Sequence, residues 1–138
     1  MKKATLAARA NCLTARLSAR ERERLFESCT AVQLALGDVL CHRGDRLRHV
    51  YFPTDSFISL ITQNEGEAGL EVGLIGDEGM LGAALVLGVD RSPVHALVQG
   101  AGAAWRMSTS AFRGQLAARP RDGSDQRDQQ HDRIEQCR

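Results

Sequence analysis

Short hydrophobic runs recur at intervals of about ten residues through the middle of the chain, separated by turns that contain glycine, aspartate or proline. Several runs alternate hydrophobic and polar positions with period two, which is typical of a strand with one buried face. The predicted strands are residues 32–36, 39–41, 49–52, 57–62, 70–75, 94–99 and 103–107. Many short strands at this spacing predict a β-sandwich, a barrel or a jelly roll.

The residues before these strands follow a helical pattern instead. Ser18 followed by Glu21 fits a capping box, in which each side chain accepts a hydrogen bond from a backbone N–H group of the other residue. The segment after Ser18 is rich in arginine and glutamate, which favour helices. Apolar side chains recur at helical spacing at positions 13, 17, 25 and 26. Residues 1–30 are therefore predicted to be helical.

One apolar segment among the strands lacks their alternation. Residues 79–88 are small and hydrophobic, and they begin and end with glycine. We predict a short helix that begins at Gly79 and ends at Gly88, since glycine commonly terminates helices. The polar loop of residues 89–93 follows directly.

The end of the chain divides into a helix and a polar tail. The helix is predicted to begin at Ser108 or Thr109, because either side chain can cap its first turn. Residues 119–138 contain two hydrophobic side chains and ten charged ones, so they cannot bury enough apolar surface to offset the entropy of ordering. We therefore expect a folded unit over residues 31–118, followed by a disordered tail.

Length and charge narrow the class of protein. With 138 residues, the chain is long enough for one domain of ordinary size. Its 18 lysine and arginine residues balance 17 aspartate and glutamate residues, so the net charge does not indicate electrostatic binding to nucleic acid. No apolar run approaches the roughly 20 residues of a membrane helix. Because Arg9 and Asn11 interrupt the N-terminal apolar stretch, it makes a poor secretory signal, and we expect a cytoplasmic protein.

The cysteines do not follow a metal-binding or redox spacing. They lie at positions 12, 29, 41 and 137, without the close pairs of zinc or dithiol motifs. This favours isolated thiols in a reducing compartment. A zinc or iron–sulfur site assembled from Cys12, Cys29 and Cys41 is the alternative.

The histidines and serines give no clear enzymatic pattern. A cupin-like metalloprotein would share the jelly roll, but it needs clustered ligands on adjacent strands. The candidates for such a cluster are His42, His49 and His95. No serine stands in a recognisable nucleophile–base spacing with a histidine. We therefore expect no enzymatic activity, no metal and no resident cofactor.

The segment from Gly79 to the loop after residue 88 is the best candidate binding site. Free N–H groups at the start of a helix attract anions, and glycines allow a phosphate to approach the backbone. Arg91 can neutralise an anion with its forked donors, and Ser92 can add a hydroxyl. The alternative is that this segment only packs against the sheet.

Several separated segments agree in spacing and sequence with a known pattern. They are residues 36–40, 44–45, 49–53, 71–82, 87–93, 96–99 and 105–107. Together they resemble the sensor domain of Crp/Fnr-type bacterial transcription regulators, in unbroken order over residues 11–118. The resemblance implies a mainly β fold with flanking helices, namely a double-stranded β-helix jelly roll of the cyclic nucleotide-binding type.

The resemblance also implies a ligand site. Nucleotide-binding members of this superfamily hold the ligand in a phosphate-binding cassette, with glycines around a short helix, a glutamate for the ribose and an Arg-Ser pair for the phosphate. Arg91 and Ser92 match the Arg-Ser pair, and Gly79 and Gly82 match the glycines. Ala83 stands where the glutamate is usual, which implies weaker ribose binding. The implied ligand is a small-molecule effector, either a cyclic nucleotide or a different molecule.

Full-length regulators of this kind continue into a dimerisation helix and a DNA-binding domain. Here the resemblance stops near Ala118, and the composition then changes abruptly, as in a truncated or frameshifted reading frame. We expect an effector-sensing domain that does not bind DNA by itself. A homodimer is compatible with the sequence. The alternative is a protein-interaction module without a ligand, in which Phe112 and Leu116 contribute exposed apolar surface.

Overall fold

The computed structural model describes residues 11–62 and 69–117. Four sequence-based expectations therefore lie wholly or partly outside the described residues. They concern helical structure before residue 11, a polar turn over residues 64–69 between two predicted strands, the disordered tail, and the isolated thiol of Cys137.

The described residues form short helices at both ends and strands between them. The helices are α1 (Cys12–Ala15), α2 (Ala19–Glu27), a 3-10 helix (Ala83–Leu87) and α3 (Thr109–Ala117). The strands are β1 (Cys29–Leu34), β2 (Val39–Cys41), β3 (His49–Pro53), β4 (Phe57–Thr62), β5 (Leu70–Ile75), β6 (His95–Gly100) and β7 (Gly102–Ser108).

These strands build two antiparallel sheets, with the orders β1-β7-β3 and β2-β6-β4-β5. Side chains from both sheets enter one hydrophobic core, where Val50, Ile58, Val98 and Met107 are almost completely buried. Helices α2 and α3 pack against the three-stranded sheet, and the Phe26 and Trp105 rings lie 5.0 Å apart between centroids. The predicted fold class, mainly β with flanking helices, is confirmed.

The first strand lies earlier in the chain than predicted. It pairs with β7 from Cys29, opposite Met107, to Leu34, opposite Gly102. After Leu34 the chain turns, because the Asp38 carboxylate accepts a hydrogen bond from the Ala35 N–H group at 3.0 Å. The prediction of a strand over 32–36 was therefore wrong in its bounds, although the strand itself exists.

The short helix also differs from its prediction. It is a 3-10 helix of five residues that starts after Gly82, not at Gly79. Leu81 exchanges backbone hydrogen bonds with Tyr51 of β3, at 2.9 and 3.2 Å. Leu81 is therefore held against β3 by an isolated bridge, and the helix begins only beyond it.

The flanking helices follow their predicted caps. Ser18 and Glu21 form the predicted capping box at the start of α2. The Ser108 hydroxyl accepts a hydrogen bond from the Ala111 N–H group at 3.2 Å, as expected for a cap of α3. The N-terminal pattern is not one continuous helix, because α1 ends at Ala15 and α2 begins at Ala19.

The expectation of an exposed apolar surface around Phe112 and Leu116 is wrong. Phe112 is 7% exposed and belongs to the core, and Leu116 is partly buried against it. Exposed large hydrophobic side chains lie instead on β5 and around the 3-10 helix. They include Leu70, Val72, Leu74, Val86 and Leu87.

Candidate functional site

Gly79 and Gly82 begin the cassette segment, which we define as residues 79–92, between β5 and β6. Gly82 has a φ angle of 106°, and a Cβ atom there would lie 2.7 Å from Cγ1 of Val50. Both the backbone conformation and the contact therefore require glycine. A Cβ atom at Gly79 would make ordinary contact with Ile75 at 3.5 Å, so Gly79 is not required on steric grounds.

The cassette segment is held to the loop between β2 and β3, residues 42–48, by backbone hydrogen bonds. Leu47 donates to the Asp90 carbonyl at 2.9 Å. Ser92 donates to the Asp45 carbonyl at 2.9 Å, and Gly44 donates to the Ser92 carbonyl at 2.8 Å. Arg91 and Ser92 are therefore positioned by this loop rather than by the 3-10 helix.

Arg91 is exposed, and its Nη1 donates to the Gly44 carbonyl at 3.0 Å. Guanidinium groups have five N–H donors, so most of the donor capacity of Arg91 stays available to a ligand. Arg91 is therefore the polar cassette side chain best suited to contact an anion.

The Ser92 side chain is turned into the protein. Ser92 is 4% exposed, and its hydroxyl donates to the Val94 carbonyl at 2.6 Å. The Cys41 thiol donates to the same hydroxyl at 3.4 Å. The Ser92 proton is thus already engaged within the protein, which limits what this residue can offer to a phosphate.

No carboxylate follows either cassette glycine. Met80 comes after Gly79 and Ala83 comes after Gly82. The nearby Glu78 is engaged in its own turn, where its carboxylate accepts from the Gly76 N–H group at 3.1 Å. The positions that follow the two cassette glycines therefore lack a carboxylate acceptor for ribose hydroxyls.

A cavity of about 320 Å³ lies beside the cassette segment, and Leu81 forms part of its wall. Arg46 and Arg48 from the β2–β3 loop line it, as do His49 and Tyr51 from β3. None of the four predicted site residues lines this cavity. The sequence reasoning missed it, although the cluster of basic residues over 43–49 was a signal available in the sequence.

His49 lies in a positively charged environment. Partial burial, together with the charges of Arg106 and Arg48, holds the pKa of His49 below its ordinary value of 6.5. Near neutral pH this histidine is therefore mainly uncharged, and the two arginines carry the positive charge.

Asn11 is a structural residue of the site that sequence reasoning did not identify. It is 1% exposed, and its Nδ2 donates to the carbonyls of Pro53 and Gly79, both at 2.8 Å. Its Oδ1 accepts from the backbone N–H groups of Leu13 and Thr14 at the start of α1. Asn11 therefore ties the first helix to β3 and to the beginning of the cassette segment.

The structure does not assemble the proposed metal ligands. Over residues 11–62 and 69–117, no three histidine, cysteine or acidic side chains are grouped as a metal site. The His42 and His95 rings lie 5.7 Å apart between centroids, but Nδ1 of His95 accepts from the Arg43 N–H group at 3.1 Å. Burial raises the pKa of the Cys29 thiol to about 12, which disfavours the thiolate that metals bind.

Among the described helices, none combines the length and the hydrophobicity needed to cross a bilayer.

No protein-family model matches the sequence, and no curated protein matches it. Similar solved structures include the N-terminal domain of a transcriptional regulator from Streptomyces coelicolor A3(2), with a TM-score of 0.65 and 18% identity, covering 94% of this chain and 85% of that one. The regulatory subunit of a cAMP-independent protein kinase A from Trypanosoma cruzi, bound to guanosine, has a TM-score of 0.67 and 14% identity. The match covers 82% of this chain and 40% of that one. The c-di-GMP responsive global regulator CLP from Xanthomonas campestris has a TM-score of 0.62 and 15% identity. The match covers 86% of this chain and 56% of that one.

These likenesses establish the fold. The chain has the β-roll of cyclic nucleotide-binding domains, as the sequence resemblance implied. It spans 40% of the kinase subunit and 56% of the Xanthomonas regulator.

Proposed function

We propose that this β-roll is the effector-sensing domain of a Crp/Fnr-type transcription regulator. The observation that carries the proposal is the cassette segment between β5 and β6, which is tied to β3 by Leu81 and to the β2–β3 loop by Asp90 and Ser92. A ligand that moved this segment would also act on β3 and on the β2–β3 loop through these bonds, so binding could change their relative positions. The N-terminal domain of the Streptomyces transcriptional regulator and the guanosine-bound regulatory subunit, both similar in fold, support the same role.

We place the effector contact at Gly79, Gly82, Arg91 and Ser92. Gly82 allows close approach to the backbone, and the exposed Arg91 guanidinium supplies charge and directed donors. Ser92 contributes mainly by fixing the loop, since its proton is already engaged by Val94. Arg91 is therefore the residue on which anion binding at this segment depends most.

Cyclic AMP is not the preferred effector in this proposal. The ribose hydroxyl has no carboxylate partner at Met80 or Ala83. A polar group that loses its partner on burial costs about 1–3 kcal/mol, which corresponds to roughly a tenfold to hundredfold loss of affinity. The kinase subunit described as cAMP-independent and the regulator described as c-di-GMP responsive are compatible with other ligands in this fold.

The test is a titration of the ¹⁵N-labelled chain with cyclic AMP, cyclic GMP and adenosine, followed by amide chemical shifts. We expect the two cyclic nucleotides to shift the Gly82 and Arg91 amides with similar, weak affinity, and adenosine, which lacks the phosphate, to have no effect. Arg91→Ala should reduce the affinity by roughly tenfold or more. Arg113→Ala on α3 is the matched control, because Arg113 is an exposed arginine on another element.

Three results would contradict the proposal. Submicromolar binding that distinguishes cyclic AMP from cyclic GMP would show strong, base-selective recognition and would contradict the expected weak affinity. Binding that survives Arg91→Ala would remove Arg91 from the site. The absence of any saturable shift for both cyclic nucleotides would remove the cassette segment as an anion site.

A further inference from the structure

The cavity beside the cassette segment is lined by both basic and apolar residues. Its volume of about 320 Å³ lies within the range of roughly 300–1,000 Å³ that is typical of small-molecule pockets. Arg46 and Arg48 are the arginines of the lining, and Leu47 and Leu81, both nearly buried, contribute apolar surface.

The positive charge of this cavity is not neutralised by the described part of the protein. Neither Arg46 nor Arg48 forms a side-chain hydrogen bond or an ion pair with any residue in 11–62 or 69–117. Asp45 is the acidic residue of the lining, and its Oδ2 accepts from the His42 N–H group at 2.9 Å. Two arginines therefore face one carboxylate that is already engaged in its own turn.

Tyr51 provides an independent indication of a ligand. It lines the cavity and is 8% exposed, yet its hydroxyl has no hydrogen bond within the described residues. Within that part of the chain, no fully buried side-chain oxygen or nitrogen lacks a partner. Because the Tyr51 hydroxyl has no such partner, it keeps some solvent access, and Tyr51 itself lines the cavity.

We propose that this cavity binds a small organic anion with an apolar body, such as an aromatic carboxylate or phosphate ester. Arg46 and Arg48 would hold the anionic group, and the Tyr51 hydroxyl would donate to it. Leu47 and Leu81 would contact the apolar body. Arg91 and Ser92 do not line this cavity, so the inference goes beyond the proposed function. The cavity is nevertheless connected to the cassette segment through Leu81 and through the backbone hydrogen bonds of Asp45 and Leu47.

The test is calorimetric titration with phenyl phosphate, compared with inorganic phosphate and benzyl alcohol. Phenyl phosphate should bind more tightly than either, because it alone carries both the charge and the ring. Arg46→Gln and Arg48→Gln should each weaken its binding, and the double variant should do so by roughly tenfold or more. Arg113→Gln removes the same charge from exposed α3 and should leave the affinity unchanged.

A second measurement uses His49 in the unaltered protein. Burial and the charges of Arg106 and Arg48 lower its pKa, whereas Asp45 is the acidic group in the same lining. A bound anionic group would oppose the two arginines, so phenyl phosphate should raise the pKa of His49, measured by NMR. Benzyl alcohol should not raise it.

Two outcomes would overturn the inference. One is phenyl phosphate binding that is insensitive to Arg46→Gln and Arg48→Gln. The other is an unchanged pKa of His49 at saturating phenyl phosphate. If phenyl phosphate binding depended on Arg91 instead, this inference would fail while the proposed cassette site would gain support. If the Arg46 and Arg48 dependence held while cyclic nucleotides produced no shift at Gly82 and Arg91, the cassette proposal alone would fail.

Discussion

At the scale of single residues, Asn11 has a structural role that its neighbours in sequence do not indicate. Its amide satisfies two N–H groups of α1 and two carbonyls, those of Pro53 and Gly79. The carbonyl partners lie 42 and 68 residues further along the chain. A local sequence pattern cannot indicate partners at such separations, which is why Asn11 was noticed only as an interruption of an apolar stretch.

Asn11→Ala should lower the free energy of unfolding by about 2–4 kcal/mol, because it removes a helix cap and leaves buried carbonyls without partners. Ser18→Ala is the matched control, since it removes the cap of α2 and should cost only about 1 kcal/mol. Asn11→Asp keeps the cap acceptor but loses the Nδ2 donor, so it should also destabilise the protein. Urea denaturation measures all three. Equal losses for Asn11→Ala and Ser18→Ala would contradict a role for Asn11 beyond capping.

The predicted binding residues are a second case in which the sequence alone does not determine what a side chain contacts. The sequence identifies Arg91 and Ser92 as neighbours with suitable chemistry, and the structure places both on the loop contact. Side-chain direction is a different matter, because it depends on the tertiary surroundings. The Ser92 hydroxyl is satisfied by Val94 and Cys41 inside the protein, whereas Arg91 stays exposed.

At the scale of secondary-structure elements, the alternation of hydrophobic and polar positions was sufficient to predict the strands. Tertiary contacts determine the residues at which some of them begin and end. The bounds predicted for β2, β4 and β5 match those in the structure. Errors occurred where a long-range contact decides the boundary. Pairing with β7 moves β1 toward Cys29, and the bridge between Tyr51 and Leu81 delays the 3-10 helix.

The two cassette glycines differ in backbone conformation and in the space around them, and this difference can be tested. Gly82→Ala should destabilise the protein by about 2 kcal/mol or more, because alanine is strained at a φ of 106° and its Cβ would press on Val50. Gly79→Ala should change stability by less than about 1 kcal/mol, since a Cβ fits there and a less flexible residue stabilises the folded state slightly. Thermal and urea unfolding of both variants provide the comparison. A similar loss for both variants would show that the tight turn at Gly82 is not the origin of the difference.

At the scale of the whole molecule, the distribution of charge matters more than its sum. The chain is almost neutral overall. Even so, Arg46, Arg48 and His49 gather around one cavity, and Arg106 of β7 adds its charge to the same end of the sheet. Net charge could not predict this cluster, because β7 reaches β3 only through the pairing of distant strands.

The same cluster makes the stability of the fold sensitive to acid. The pKa of His49 lies below 6.5 in the folded state, so below pH 6.5 the unfolded chain binds protons more readily at this position. The contribution of His49 is therefore fully present above pH 6.5 and is lost as the pH falls toward the lower folded pKa. Because His49 is only partly buried, we expect the loss to be below about 1 kcal/mol.

The measurement is the free energy of unfolding at about pH 7.5 and about pH 5 for matched variants. His49→Gln should lose less stability on acidification than the unaltered protein, because it has no group to protonate there. Arg48→Gln should also lose less, since removing this positive charge brings the folded pKa of His49 closer to its unfolded value. Should all three proteins show the same acid sensitivity, the positive field at this end of the β-roll would be too weak to affect folding. The case for an anion in the cavity would then depend on the calorimetric titration alone.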